Sequence, residues 1–382
     1  MADMSELRAR IDEIDSEILR LFSARAEIAD AIGAYKREAG LPVLDRTRER
    51  ETVHAAAEAV PADLKTHAQV LMELLMEASR MRQNAVGAGD AEGFFPEVAS
   101  ALADAPALFP TDSFVACQGV EGAYSQIAAE RIFKHPQISY FGSFEGVFQA
   151  VEQGFCDYGV LPVENSTAGS VNKVFDLMMR HDFSIVRTTR LKIDHNLLVT
   201  PGASLDGIRE IYSHEQAIRQ CSAWLSSRSD VTVHSVENTA VAAKAVAESG
   251  RSDVAALSSR SCAELYGLDV LETSVQDRDD NYTRFATISK RTEIFPGADR
   301  SSLMIVLPHV PGSLYKVLAK FYALDINIIK LESRPIPERD FEFMFFFDIE
   351  CPVAAPEFEQ LARTLPDLCD DIRYLGSYSE VV

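Results

Sequence analysis

Arg25 and Lys36 stand on a stretch whose apolar residues keep a four-three spacing: Leu7, Ile11, Ile14, Ile18 and Leu21, then Ile28, Ile32 and Tyr35. Arg25 sits where the next apolar residue belongs. A pattern held this long predicts a helix with one buried seam. A guanidinium cannot give up its charge and is costly to bury unpaired, so something anionic should meet it. A carboxylate of the protein is one answer and a ligand is the other. Lys36 follows about three turns later on the same face, roughly 16 Å along the axis, so the two long side chains could hold one small dianion. Arg8 lies roughly 25 Å from Arg25 along the axis and about 100° round it. One small ligand cannot touch both from one chain, so an Arg8 that serves such a site reaches that of a partner chain.

Other polar residues stand at telling places. Asp45, Arg48 and Glu49 open a second helical stretch, and Ser79 and Gln83 lie one turn apart on a third. Taken singly they read as solvated charges with local pairs. Gly119 and Gly122 lead through Tyr124 to Ser125 between a strand and a helix, where backbone N–H groups can face an anion. Glu164, Asn165, Ser166 and Thr167 follow one another at the end of a strand, where α/β ligands usually sit. Thr283, Arg284 and Phe285 begin a late strand.

These groups need elements to hold them. Residues 1–86 read as all-helical, with helices over about 5–38, 45–58 and 63–84. Residues 87–112, rich in Ala, Gly and Pro, read as a linker. Residues 113–292 alternate short apolar runs with helical patterns, which predicts α/β units. Within them 150–161 resembles 245–257, with Glu152, Gly154, Asp157 and Leu161 answered by Glu248, Gly250, Asp253 and Leu257; two similar lobes facing a cleft are the natural reading. Residues 300–382 show the order strand, helix, strand, strand, helix, strand of a ferredoxin-like α+β domain.

Bulk composition narrows the class. The 382 residues carry a net charge of −21, which argues against nucleic acid and anionic membranes as partners. The first 50 residues are nearly neutral, with 9 Lys/Arg against 11 Asp/Glu. Six scattered cysteines form no CxxC pair, which fits a reducing cytosol and offers no metal site. A soluble, cytoplasmic protein is expected, with no apolar run long enough to span a bilayer.

Taken together, Leu7-Arg8, Arg25, Lys36, Asp45-x-x-Arg48-Glu49 and Ser79-x-x-x-Gln83 resemble the all-helical chorismate mutase family, which forms an intertwined homodimer. The resemblance implies that Arg8 of a partner, Arg25 and Arg48 grip the two carboxylates of chorismate. Lys36 and Gln83 would face the ether oxygen, Glu49 and Asp45 the hydroxyl side, and Ser79 would assist. Glu164-Asn165-Ser166, Ser213-His214-x-Gln216, Gln220-Cys221, Glu237 and Thr283-Arg284-Phe285 resemble prephenate dehydratase, a two-lobed fold like that of periplasmic binding proteins. There Thr283 would serve the departing ring hydroxyl. Asn165, Ser166 and Gln220 would orient prephenate, with Ser125, Glu164, Thr167, Arg284 and Phe285 around it. Glu215 and Val120 stand where that family usually has proline. Gly312-Ser313-Leu314 with Glu332-Ser333-Arg334 resembles the ACT regulatory domain, which implies phenylalanine as effector, bound between chains. The resemblances imply a cofactor-free, metal-free bifunctional enzyme. Two rivals are arogenate as substrate of the middle region, and a catalytically dead sensor; intact Thr283, Asn165, Arg25, Lys36 and Glu49 argue against the second.

Overall fold

The structure is a computed structural model, described here over residues 3–85, 96–336 and 342–382. The chain forms two compact units, Met1–Phe94 and Phe95–Val382.

The first unit holds α1 (Met4–Glu38), α2 (Arg46–Glu58) and α3 (Lys65–Ala85). Gly40, at φ 65°, lets the chain turn after α1 in a conformation that favours glycine. The Asp45 carboxylate caps α2 by accepting from Arg48 N at 3.0 Å. α3 packs against both other helices. Where α1 crosses it, Gly33 leaves no room for a side chain: an added Cβ would lie 2.8 Å from Gln83 Cα. The expected buried seam is not covered within the chain: its apolar residues are exposed along the whole of α1, Ile28, Ile32 and Tyr35 included, and what α1 buries is the neighbouring stripe at Ala29 and Gly33. Residues 3–23 are all exposed, and Ile14 and Ile18 keep 53% and 55% of their surface.

The second unit begins inside the expected linker. Residues 87–95 lie outside the described residues, but α4 (Pro96–Ala103) is a folded helix. Val98 and Ala101 bury against Leu303, Val317 and Phe321, so this Ala-rich segment carries an apolar face and is not a free tether.

A first lobe follows: β1 (Asp112–Gln118), α5 (Tyr124–Ile132), β2 (His135–Phe141), α6 (Phe144–Glu152), β3 (Tyr158–Asn165), β4 (Gly169–Ser170), α7 (Asn172–Met178) and β5 (Ser184–Lys192). The chain then crosses to a second lobe: β6 (Asn196–Val199), β7 (Glu210–His214), α8 (Glu215–Gln220), α9 (Ser222–Ser226), β8 (Thr232–Val236), α10 (Thr239–Ser249), β9 (Val254–Ser258), α11 (Arg260–Tyr266) and β10 (Asp269–Glu272). It returns to the first lobe as β11 (Tyr282–Ser289).

The two lobes share one plan. In the first, β1 lies parallel between β2 and β3, β11 runs antiparallel to β3, and β5 antiparallel to β11. In the second, β7 lies parallel between β8 and β9, β6 runs antiparallel to β9, and β10 antiparallel to β6. The two copies of the sequence repeat occupy equivalent places, as the turns from α6 into β3 and from α10 into β9. Gly154 and Gly250 both have positive φ there, at 77° and 61°.

The C-terminal segment is β12 (Arg300–Val306), α12 (Ser313–Ala323), β13 (Asn327–Pro335), β14 (Phe343–Glu350), α13 (Pro356–Thr364) and β15 (Asp371–Val381), in the predicted order. It does not stand apart. β15 pairs antiparallel with β12 and, through Ser379–Val381, parallel with Arg187–Thr189 of β5. Among the described residues, ten strands therefore form one sheet, in the order β13-β14-β12-β15-β5-β11-β3-β1-β2, with β4 attached to β3. The expected boundary near residue 300 separates neither compact units nor sheets.

Candidate active sites

In the helical unit α3 is the wall that the other helices address. Arg25 Nη1 donates to Leu75 O and to Ser79 Oγ. Burial holds the Arg25 guanidinium below its ordinary pKa. Asp45 and Glu49 are not its partners. Asp45 caps α2, and Glu49 pairs with Arg80 of α3. Lys36 Nζ donates to Val43 O at 2.6 Å. Gln83 is buried against Gly33, and its Oε1 has no partner among the described residues. The charge in the seam is thus met by neutral oxygens. Arg8 and Arg48 are exposed, and Arg8 belongs to the uncovered half of α1.

In the second unit, a cleft of about 370 Å³ is lined from both lobes. The first lobe contributes Ser125, Asn165, Thr283 and Phe285; the second contributes His214, Gln220, Glu237 and Thr239. Thr283 lies directly opposite Asn165 in the ladder between β11 and β3. β11 is bulged between Arg284 and Phe285, where the pairing skips from Glu164 to Pro162.

A run of hydrogen bonds crosses the cleft with a fixed direction. The His195 Nε2 atom lies 3.0 Å from Gln220 Oε1, which also accepts from Asn281 Nδ2 at 3.0 Å. Gln220 Nε2 donates to Thr167 Oγ1 at 2.9 Å, and Thr167 Oγ1 donates to Asn165 Oδ1 at 2.7 Å. Asn165 Nδ2 donates to Thr283 Oγ1 at 2.9 Å. An amide N–H fills an acceptor site of the Thr283 hydroxyl, which leaves the hydroxyl proton free to point elsewhere. His195 is 2% exposed, and burial lowers its pKa.

The described residues lining this part of the cleft include no Lys or Arg, but the adjoining cavity of about 650 Å³, which shares Asn165, His214 and Gln220, is edged by Arg219 and Arg278. The donors of the first part are neutral: Ser125 in the first turn of α5 and Thr239 in the first turn of α10, at helix ends where backbone N–H groups favour anions. Ser125 Oγ itself donates to Gln118 O at 3.0 Å.

Not every expected residue reaches the cleft. Successive residues of a strand face opposite sides of the sheet. Glu164 and Arg284, neighbours of Asn165 and Thr283, point to the far face. Arg284 lies 3.6 Å from Glu164, 3.6 Å from Asp348 and 3.3 Å from Glu380, while Lys330 lies 3.3 Å from Glu164. The expectation that Glu164 and Arg284 touch substrate is corrected accordingly. Ser166 fastens the start of β11 by donating to Asp280 O at 2.7 Å and accepting from Tyr282 N at 2.9 Å.

The C-terminal residues singled out by sequence also divide. Gly312 caps α12 at φ 87°, Ser313 Oγ donates to Val310 O at 3.1 Å, and Leu314 packs on the local core. Glu332 accepts from Ser170 Oγ at 2.6 Å, and Arg334 pairs with Asp176 at 2.6 Å, both partners in the first lobe. Ser333 lies opposite Phe345 in the ladder.

Sequence reasoning missed His195, Asn281 and Glu380. Asn281 was within reach, two residues before Thr283 and on the same strand face. His195 belongs to no motif, and the place of Glu380 depends on pairing with a strand nearly 200 residues earlier.

Residues 7–84 match the family of type II chorismate mutases, and residues 115–293 that of prephenate dehydratases. The bifunctional chorismate mutase/prephenate dehydratase of Aquifex aeolicus is 32% identical over 395 residues, covering 100% of this chain and 99% of its own. The chloroplastic arogenate dehydratase/prephenate dehydratase 2 of Arabidopsis thaliana is 37% identical over 276 residues, 69% of this chain and 72% of its own. A solved prephenate dehydratase of Arthrobacter aurescens, in complex with L-Phe, matches with TM-score 0.64 at 24% identity, over 70% of this chain and 90% of its own. That last likeness is one of fold. No helix among the described residues is long and apolar enough to cross a membrane.

Proposed function

The chain belongs to the bifunctional chorismate mutase/prephenate dehydratases, and from that membership we propose how its own residues carry the two reactions. It converts chorismate to prephenate and prephenate to phenylpyruvate.

The first step is a rearrangement within one molecule, so the helical unit has to hold a dianion in a compact shape and steady charge on the breaking ether bond. Arg25, Lys36 and Arg48 are the cations for it, with Gln83 and Lys36 at the ether oxygen. Ser79 orients Arg25, and Glu49 and Asp45 serve the hydroxyl side. Arg8 acts from a second copy. The bare apolar face of residues 3–23 supports a homodimer in which α1 crosses into its partner.

The second step breaks two bonds. The pair of the C–CO₂ bond enters the ring as the ring C–O bond breaks, and CO₂ and water leave. Hydroxide needs a proton to depart, and the Thr283 hydroxyl gives it, to be replenished from water. The observation that carries this reading is the 2.9 Å donation from Asn165 to Thr283, which turns the threonine proton outward. Thr167 and Gln220 keep the Asn165 amide in that orientation. Ser166 holds the start of β11, the backbone N–H of Ser125 in the first turn of α5 meets a carboxylate, and Phe285 gives the ring an apolar wall.

Phenylalanine acts as a feedback effector at an ACT-type C-terminal domain, through Gly312, Ser313, Leu314, Glu332, Ser333 and Arg334. The strand and helix order and the left-handed turn at Gly312 support this. Glu332 and Arg334 are already engaged by Ser170 and Asp176, so an effector that takes them must favour a second state. The test is turnover of chorismate, prephenate and arogenate, each with and without phenylalanine. Rates that ignore phenylalanine would overturn the feedback reading.

A further inference from the structure

Behind the catalytic strand lies a charged cluster that the reaction does not use. Glu380, near the end of β15, has a side chain only 2% exposed. Three guanidinium groups from three strands surround it: Arg190 of β5 at 2.6 Å, Arg300 of β12 at 3.0 Å and Arg284 of β11 at 3.3 Å. Arg284 also faces Asp348 of β14 and Glu164 of β3. It is the covalent neighbour of Thr283, and it sits at the bulge that sets how β11 meets β3. Bulges re-aim the side chains beside them. A pull on Arg284 is therefore a pull on the bulge next to Thr283.

β15 is built to transmit that pull. It pairs with β12 and with β5 along one strand. At the closest approach Gly376 has φ 134°, and an added Cβ would overlap the Ile185 carbonyl oxygen. Any other residue would push β15 off β5 and take Glu380 with it.

We propose that Glu380 is a positioning residue for the dehydration, acting through Arg284 to hold Thr283 in its working place opposite Asn165. The inference rests on the reading of Thr283 as the group that serves the leaving hydroxyl. Without the Glu380 carboxylate, three guanidiniums face one another and Arg284 turns wholly to Asp348 and Glu164. A partly buried charge that loses its partner reorganises its neighbours. Misplacement of a reacting group by about 1 Å can cost up to about 100-fold in rate.

The test uses the full chain. In E380Q the dehydratase kcat should fall at least about tenfold. KM for prephenate should move by less than about threefold, since no substrate contact is lost. Mutase activity should be unchanged, which reports that the protein is folded. E380D, which keeps the charge, should recover most of the loss. The effect of E380Q should vanish in an R284M background, because the path runs through Arg284. A dehydratase kcat within twofold of the parent in E380Q overturns the proposal. So does an E380Q loss of equal size with and without Arg284. Should E380Q fail to accumulate, R284M alone carries the test, because the path runs through Arg284: a dehydratase kcat in R284M within twofold of the parent overturns the proposal. Failure of the Thr283 reading shows separately, as dehydratase activity retained in T283V.

Discussion

Asn165 and Thr283 face each other across the β3–β11 ladder, and the amide of one donates to the hydroxyl of the other at 2.9 Å. The direction of that bond matters more than its length. It makes the threonine an acceptor towards the protein and a donor towards the cleft. In T283V, which keeps the shape and removes the proton, dehydratase kcat should fall by at least about 100-fold while mutase activity stays within twofold. Separate assays of the two reactions on one preparation check this. N165L should fall by a similar order, because the hydroxyl then loses the group that orients it.

Arg25 is held by Ser79 and the Leu75 carbonyl and, among the described residues, by no carboxylate. Its positive charge is therefore left for a ligand. R25M should lose at least about 100-fold in mutase kcat/KM, as expected for removing a charge-assisted grip on an anion. Dehydratase kcat/KM should not change; an equal loss in both assays would point to unfolding.

The exposed stripe of α1 makes a prediction about assembly. In I14E/I18E two charges enter that face, so dimers should weaken in sedimentation velocity and mutase activity should fall at low protein concentration. If the variant stays dimeric with full mutase activity, α1 does not form the dimer face.

Burial lowers the pKa of His195 and of His214. A histidine held neutral in the folded state and titrating normally when unfolded costs stability as pH falls. Both contributions are complete above the unfolded value of about 6.5 and are lost as pH drops through the lower folded values. Denaturant midpoints of the second unit should therefore fall between pH 8 and pH 5. H195Q should flatten that slope.

Gly376 cannot carry a side chain without striking the Ile185 backbone, and its φ of 134° disfavours any other residue. G376A should destabilise the second unit by about 2–4 kcal/mol, in the range of severe backbone and packing lesions. Urea unfolding followed by Trp224 fluorescence would measure it, and a change under about 0.5 kcal/mol would refute the tight approach.

Much of this was legible in the residues. The four-three spacing predicted α1, the repeat at 150–161 and 245–257 predicted paired lobes, and the C-terminal strand order matched the prediction. Periodicity reports what a segment buries, not what covers it, so α1 showed its stripe but not its neighbour. The site was legible in composition and less so in facing. Glu164-Asn165 and Thr283-Arg284 are adjacent pairs in strands, so one member of each pair had to point away from the cleft. That rule was available from sequence and separates Asn165 and Thr283 from Glu164 and Arg284. The place of Glu380 was not available, because it depends on β15 reaching back to β5, and local pattern carries no record of such pairing.

The lobes are similar, but they are not independent. The first lobe's sheet takes β11 between β5 and β3, and β11 is made only after the whole second lobe. A nascent chain grows from its N-terminus, so the first lobe stays an open sheet until about residue 289 has emerged. Until then the edge of β3 that takes β11, with Val160 and Leu161, has no partner, and the threonine of the cleft is among its last parts to arrive. The middle region therefore cannot be split at residue 195 into two working halves. A ribosome that stalls between the lobes leaves an exposed apolar edge for chaperones and proteases to find.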